Sequence, residues 1–454
     1  MTAAIQQSPV AAGPSAHLTQ RRILLFWLPL AASWLLMSAE IPFVSAAIAR
    51  LIEAERMLAA FGIVTSLSIT IESPVIMLLA TSTALARTRQ NYEMLRRFTG
   101  HLILGTTLLH ALLGWTPMFD LVVRDWMGVP ANILEPVRLG MRIMLFWSAA
   151  IAWRRFKQGV LIRHGQTRFV AQGTAVRLFS SAGVAAALAL TGQAPGIAVG
   201  AYALSAGVIA EALYAHWAAH KLIAEKFGLD TPARGPDLAY WELVKFHSPL
   251  AASSLLFLLA QPLVSAALAR VQDPEIVLAA WPVTASVLFL TRAPALALPE
   301  IIIALADEEG SLKPLRKFSL WIGLACMAAL ALLSFTPLGH FYFKTAIGVS
   351  EELAARAITG GQLGLLVPIL MALQSWFRGL LTARRATLPM TIAMVVNLIT
   401  MAAVLAVGVA LQAPGVALAA VALTMAMGAE TLLLWAAARR RNWDLSVPGM
   451  AFLV

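Results

Sequence analysis

Charge is scarce in this chain of 454 residues: only 13% are Asp, Glu, Lys or Arg, against 59% apolar residues and a mean hydropathy of +0.78. A soluble domain carries roughly twice that charged fraction, so the composition excludes a set of soluble domains and predicts a polytopic membrane protein. A single cysteine, Cys326, excludes a disulfide framework and any multi-cysteine metal or iron–sulfur site. Alternating strands are also missing, and long Ala/Leu/Val runs read as helices instead of an outer-membrane barrel. No Walker A sequence is present, which excludes ATP hydrolysis as the driving force. No nucleophile–base constellation and no metal-ligand cluster stand out, so nothing points to an enzyme, a cofactor or a bound metal. His216 and His220 have metal-like spacing but sit at a helix end without a carboxylate or thiolate partner, and His110 is flanked by apolar residues as a buried, satisfied histidine would be. Gly196-x-x-x-Gly200 fits close helix packing.

What is present is a series of apolar runs of about twenty residues. They predict an all-α membrane protein with twelve spans near 23–50, 60–86, 98–121, 136–153, 169–190, 197–219, 243–270, 282–306, 318–342, 355–377, 387–410 and 416–438. The N-terminal tail is residues 1–20, the first six-helix bundle 21–219, a polar linker 220–242, the second bundle 243–438 and the C-terminal tail 439–454. Residues 1–20 lack the small-residue cleavage site of a signal peptide.

The net charge of +11 invites a nucleic-acid reading, but its placement removes it. With both termini on the cytoplasmic side, 24 of the 34 Lys and Arg fall in cytoplasmic loops; seven fall outside and three, Arg142, Arg177 and Arg292, within spans. This is the positive-inside pattern of an inner-membrane protein. The expected partners are membrane lipids and a small-molecule substrate, with no nucleic acid, and the expected state is a monomer.

The two halves repeat. FWLPLAASWLLMSAEIPFVSAAIAR (26–50) lies over FHSPLAASSLLFLLAQPLVSAALAR (246–270) at an offset of 220 without a gap. The same offset carries Pro74 onto Pro294, Thr116-Pro117 onto Thr336-Pro337 and Gly128-Val129 onto Gly348-Val349. One deletion later, Gln193-Ala-Pro-Gly196 meets Gln412-Ala-Pro-Gly415, and Glu211 meets Glu430. An even number of helices per repeat makes the repeats parallel, as in transporters whose halves rock about a central site.

The parallel 6+6 repeat resembles the multidrug/oligosaccharidyl-lipid/polysaccharide exporter superfamily, and the resemblance implies a V-shaped pair of bundles around a cavity. Gln158-Gly159 and Gly165, in QGVLIRHGQTR, are similar to the loop between its fourth and fifth helices. ERMLAAFGIVTSLSITIESP (55–74), LVKFHSPLA (243–251) and GAETLLLWAAARRR (428–441) resemble the progressive ankylosis family. That likeness implies export of a small organic anion such as citrate, nucleotides or pyrophosphate. A cationic-drug exporter and a flippase for a lipid-linked saccharide are the alternatives within the superfamily.

Ionisable groups inside spans are costly and mark function by default. Eight are present: Glu40, Glu72, Arg142, Arg177, Glu211, Arg292, Glu300 and Glu430. Arg142, Arg177, Arg292 and Glu72 are the candidate substrate-binding residues. A guanidinium fork suits carboxylate or phosphate, and the neutral Gln362 and Asn397 stand at the positions matching Arg142 and Arg177. Glu72 and Arg292 are repeat mates of opposite charge, which predicts either a pair across the cavity or a structural ion pair. Glu40, just before Pro42, and Glu300 are the candidate ion-coupling residues, with a proton or Na+ as the coupling ion. A deep carboxylate can load and release a proton near neutral pH, although an arginine partner would make Glu40 structural. Glu211 and Glu430, retained in both halves, read as structural polar residues.

Overall fold

The computed structural model describes residues 18–228, 239–306, 310–384, 386 and 388–440. Among these every regular element is helical. In lipid a backbone must satisfy its own hydrogen bonds, and an apolar run of this length does so only as a helix. Among the described residues nine helices are long and apolar enough to cross a membrane, or eleven when each of two bent pairs counts as one span. The remaining segment of the twelve-span order is the fourth, Ala131–Ile143 followed by Trp147–Arg163. Arg142, Arg154, Arg155 and Lys157 within it depress its hydropathy. Numbered 1–12 in chain order, the segments make a multi-pass protein of two repeated six-helix halves.

Prolines decide where spans break. Pro cannot donate to the fourth residue before it and its ring crowds that carbonyl. Span 1 breaks at Ala39, three residues before Pro42, into Gln20–Ser38 and Glu40–Ile48. Its repeat mate, span 7, breaks at Leu259, three before Pro262. Span 2 breaks at Glu72, two residues before Pro74. Span 8 passes from α-helix to a 3-10 turn after Arg292, two before Pro294. Glu40, Glu72 and Arg292 therefore all stand at proline-induced breaks.

Spans 1 and 7 cross over. The first part of span 1 packs against the second half of the chain: Trp27 Nε1 donates to the Pro294 carbonyl at 3.1 Å, and its ring meets Phe318 edge-on. The first part of span 7 packs against the first half: His247 Nε2 lies 2.8 Å from the Pro74 carbonyl, and its ring meets Phe98. These are the same two contacts at an offset of 220, exchanged between the halves. At the other end of the seam spans 2 and 8 meet on their repeat-equivalent residues. A Cβ on Gly62 would lie 2.3 Å from Pro282 Cγ, so only glycine allows that approach.

Boundaries differ from the sequence reading at several span ends, those of spans 4 and 6 among them. Span 4 extends to Arg163, ten residues beyond its expected end at 153. Span 6 runs Gly196–Phe227, so the first part of the expected linker 220–242 is helix, while 229–238 lie outside the described residues. Residues 1–17 and 441–454 of the expected tails also lie outside them.

Candidate functional site

The buried charges of the first half converge on one cluster. Glu40, at the start of the second part of span 1, accepts both arms of Arg177 from span 5. Nε lies 3.0 Å from Oε1, Nη2 lies 2.5 Å from Oε2, and Ser181 Oγ donates to Oε1 at 2.6 Å. Arg177 and Ser181 are one helical turn apart, which places both on the face turned to Glu40. Glu211 of span 6 is held by two residues of span 4, again one turn apart: Arg154 Nη1 donates to Oε2, and Gln158 Nε2 donates to Oε1 at 2.9 Å. Both ion pairs are desolvated, the Arg154–Glu211 side chains at 5% and 1% exposure.

Glu72 and Arg155 complete the cluster. The buried Glu72 carboxylate feels Arg154, Arg155 and Arg177, yet its Oε2 has no hydrogen-bond partner. Arg155 Nε likewise has none. Three carboxylates (Glu40, Glu72, Glu211) thus face three guanidiniums (Arg154, Arg155, Arg177), with two pairs closed and one carboxylate left open.

In the second half the pattern is simpler. Arg378 Nη2 donates to Glu430 Oε1, and Asn397 Nδ2 donates to Oε2 at 2.8 Å. Gln374 donates instead to the Met427 carbonyl at 3.0 Å. Arginine and glutamine have traded places between the halves: Arg154 and Gln158 lie over Gln374 and Arg378. Each half anchors its span 6 or span 12 glutamate on an arginine, delivered from a different turn of the same helix.

The expected three-arginine surface is not assembled. Arg177 is engaged by Glu40. Arg142 is exposed, stacked on Trp115, and donates Nε to the Gly114 carbonyl at 2.7 Å. Gln362 makes the matching bond to the Ser334 carbonyl at 2.9 Å, so Arg142 does what its neutral counterpart does. It ties span 4 to span 3, and the Arg/Gln difference carries no sign of an anion site. Replacing Arg142 by Gln should leave unfolding stability within about 1 kcal/mol of wild type, the worth of one net hydrogen bond. A thermal unfolding series in detergent checks this; a loss of several kcal/mol would restore a special role for the charge.

Glu72 and Arg292 do not pair. Arg292 rests on Met427 Sδ at 3.7 Å and over the Phe289 ring at 5.6 Å, and its Nε has no partner. The repeat places them at equivalent breaks but on different bundles, so equal depth does not make them neighbours. Glu300 is exposed, outside any buried cluster. Among the described residues no group of three or more His, Cys, Asp or Glu could hold a metal ion. His110 is satisfied by the Thr106 carbonyl and the Ser68 hydroxyl, both at 3.3 Å.

Sequence reasoning missed Arg154, Arg155, Lys157 and Arg378. The positive-inside count assigns all four to cytoplasmic loops, but they lie in helices Trp147–Arg163 and Val367–Ala383. Lys157 is buried, donates to Tyr92 Oη at 2.8 Å and lies over the Trp153 ring at 4.6 Å. The Arg/Gln exchange four residues apart was the available signal: a loop has no reason to keep helical spacing in both repeats.

No protein-family model matches the sequence, and no curated protein matches it. Solved structures do match. An inward-facing multidrug resistance MATE family transporter of the MOP superfamily aligns with a TM-score of 0.71 at 14% identity, over 89% of this chain and 94% of that one. An outward-facing MATE family transporter of that superfamily aligns at 0.62 with 16% identity, over 93% and 95%. The lipid II flippase MurJ, in an inward closed conformation, aligns at 0.67 with 12% identity, over 90% and 87%. The progressive ankylosis likeness finds no counterpart among these. The chain shares the fold of the MOP-superfamily transporters.

Proposed function

We propose that the protein is an ion-coupled exporter working by alternating access, whose cargo is an amphipathic molecule of the drug-like or lipid-linked kind. The observation that carries this reading is how the crossing helices are held. Span 1 is fixed by one narrow stripe (Ile23, Trp27, Ala31), while Leu24, Leu25, Phe26 and Leu28 are exposed. Span 7 repeats this with Leu243 and His247 buried and Trp241 and Phe246 exposed. Apolar side chains left uncovered on two arms that reach across the seam suit an amphipathic cargo better than a small anion. A ring of arginines would suit a small anion better, and two of the three expected arginines are occupied. MATE and MurJ neighbours support the same reading at the level of fold.

Coupling is assigned to Glu72. Both Glu40 oxygens are taken by Arg177 and Ser181, whereas Glu72 keeps one free oxygen at a helix break. In this proposal that oxygen is the one that exchanges a proton or Na+. The inner membrane, cytoplasmic termini and a monomeric state complete the proposal. A second reading, export of a small organic anion, rests on Arg292, whose guanidinium meets only soft neighbours.

Proteoliposomes carrying a pH or Na+ gradient distinguish the readings. Lipophilic cations or a lipid-linked saccharide should move, and citrate, nucleotides and pyrophosphate should not; the reverse result replaces the first reading by the second. Glu72→Gln should abolish gradient-driven accumulation while cargo exchange at equal concentrations continues. Full accumulation by that variant would remove Glu72 from coupling.

A further inference from the structure

At the end of the seam away from the basic loops, the two halves hold each other by a reciprocal pair of arginines. Arg50, just after span 1, reaches into the second half. Nη1 donates to the Ile347 carbonyl at 2.7 Å, and Nη2 to those of Thr345 and Ala346 at 3.0 and 2.8 Å. Arg270, just after span 7, reaches into the first half and donates to the carbonyls of Met127, at 2.7 Å, and Trp126. The acceptors close two π-helices, Asp120–Trp126 and Phe341–Ile347, which are themselves repeat mates.

The receiving ends are shaped for this contact. A helix C-terminus leaves carbonyls without intrahelical donors and carries the negative end of the dipole. Gly128 and Gly348 follow the two π-helices with φ of +72° and +88°, where a side chain is strained. A Cβ there would also meet the guanidiniums, at 3.3 Å from Arg270 Cζ and 3.1 Å from Arg50 Nη1. Each arginine also bonds a carbonyl of its own helix, Ala46 or Ala266, at 2.6 Å, which aims it across the seam. Two further bonds span the same seam: Ser350 Oγ donates to Glu55 Oε1 at 2.6 Å, and Asn132 Nδ2 donates to Glu275.

We infer that Arg50 and Arg270 are the gating residues of the extracytoplasmic side, a two-point clasp that holds it shut and must release for cargo to leave. The acceptors are neutral carbonyls and both arginines are exposed, so water can replace every bond when the seam opens. A buried ion pair would instead strand a charge on release. The pseudo-symmetric placement of the two arginines, with three cross-seam bonds from Arg50 and two from Arg270, makes the two points open together. The inference rests on the alternating-access reading, and its test separates the two.

Spin labels are placed at Leu121→Cys and Phe341→Cys, exposed repeat mates on the two π-helix segments, in a Cys326→Ser background of the full chain in nanodiscs. Pulsed dipolar spectroscopy should give one main distance for this background. In R50Q/R270Q a longer-distance population should grow about tenfold or more, as expected for losing charge-assisted bonds at both points. R50K/R270K, which keeps the charge but not the fork, serves as the second variant and should shift in the same direction. Unchanged distances in a well-folded variant of either kind overturn the clasp. Bridging Glu55→Cys to Ser350→Cys should stop cargo movement until the bridge is reduced, and full transport by the bridged protein overturns the gate assignment. If the distances shift as expected and none of the cargo classes moves, the clasp stands and the transport reading fails.

Discussion

Arg177→Gln should lower the unfolding free energy by about 3–5 kcal/mol, because it leaves the buried Glu40 carboxylate without its counter-charge. Glu40→Gln should cost a similar amount from the other side of the pair. The second half of the chain supplies the control: its residues at these positions are Ala260 and Asn397. The double variant E40A/R177N copies that neutral arrangement and should recover most of the loss. Thermal unfolding of the purified chain, followed in one detergent for the three variants, reads this directly. Singles within about 1 kcal/mol of wild type would mean that water reaches the pair and that its worth is that of a surface bridge. The stakes extend beyond stability. Glu40 stands where span 1 leaves one half and joins the other, so this pair pins the crossing helix to the first half just beyond its break.

The second large effect concerns the exchanged arginine. Arg154→Gln leaves Glu211 buried without a cation bonded to it and should be as damaging as loss of Arg177, about 3–5 kcal/mol. R154Q/Q158R restores the arginine one turn further along the same helix, the arrangement that holds Glu430 through Arg378 in the second half. That double variant should regain stability to within about 1 kcal/mol. Recovery would establish that the two halves use interchangeable anchors for the same glutamate. A double variant as unstable as the single would show that the first half requires its arginine at 154, and Arg155, the adjacent guanidinium in the same electrostatic cluster, is the neighbour that would make the difference.

Several of these features were legible in the sequence because they depend on local rules. The all-helical spans follow from the need to satisfy backbone groups in lipid. The repeat at an offset of 220 predicted matched contacts, and the structure returns them in pairs: Trp27 with His247, Arg142 with Gln362, Arg50 with Arg270. The break positions could be read from Pro42, Pro74, Pro262 and Pro294, since a proline acts on the turn preceding it. Glu211 and Glu430 recur at matching positions of the repeat, and each accepts from an arginine of its own half.

Partnership was not legible, because composition says which charges are inside and nothing about which face of a helix they take. By sequence alone Glu72 and Arg292 were matched mates. Tertiary structure keeps them apart, since repeat-equivalent positions meet only near the pseudo-symmetry axis, as Gly62 and Pro282 do. Loop counting failed at Arg154 and Arg378 for a related reason. Hydropathy treats a charge as a reason to leave the membrane, whereas a buried glutamate across the helix interface is a reason to stay. The sequence alone therefore determined the helix order, the duplication, the breaks and the inventory of buried charge. Only the tertiary structure decided which charges neutralise one another, that Glu72 keeps a free oxygen, and that the halves exchange their first helices and clasp at one end. Those outcomes depend on contacts between residues some 140 to 300 positions apart, such as Glu40 with Arg177 and Arg50 with Ile347, and no local rule reaches that far.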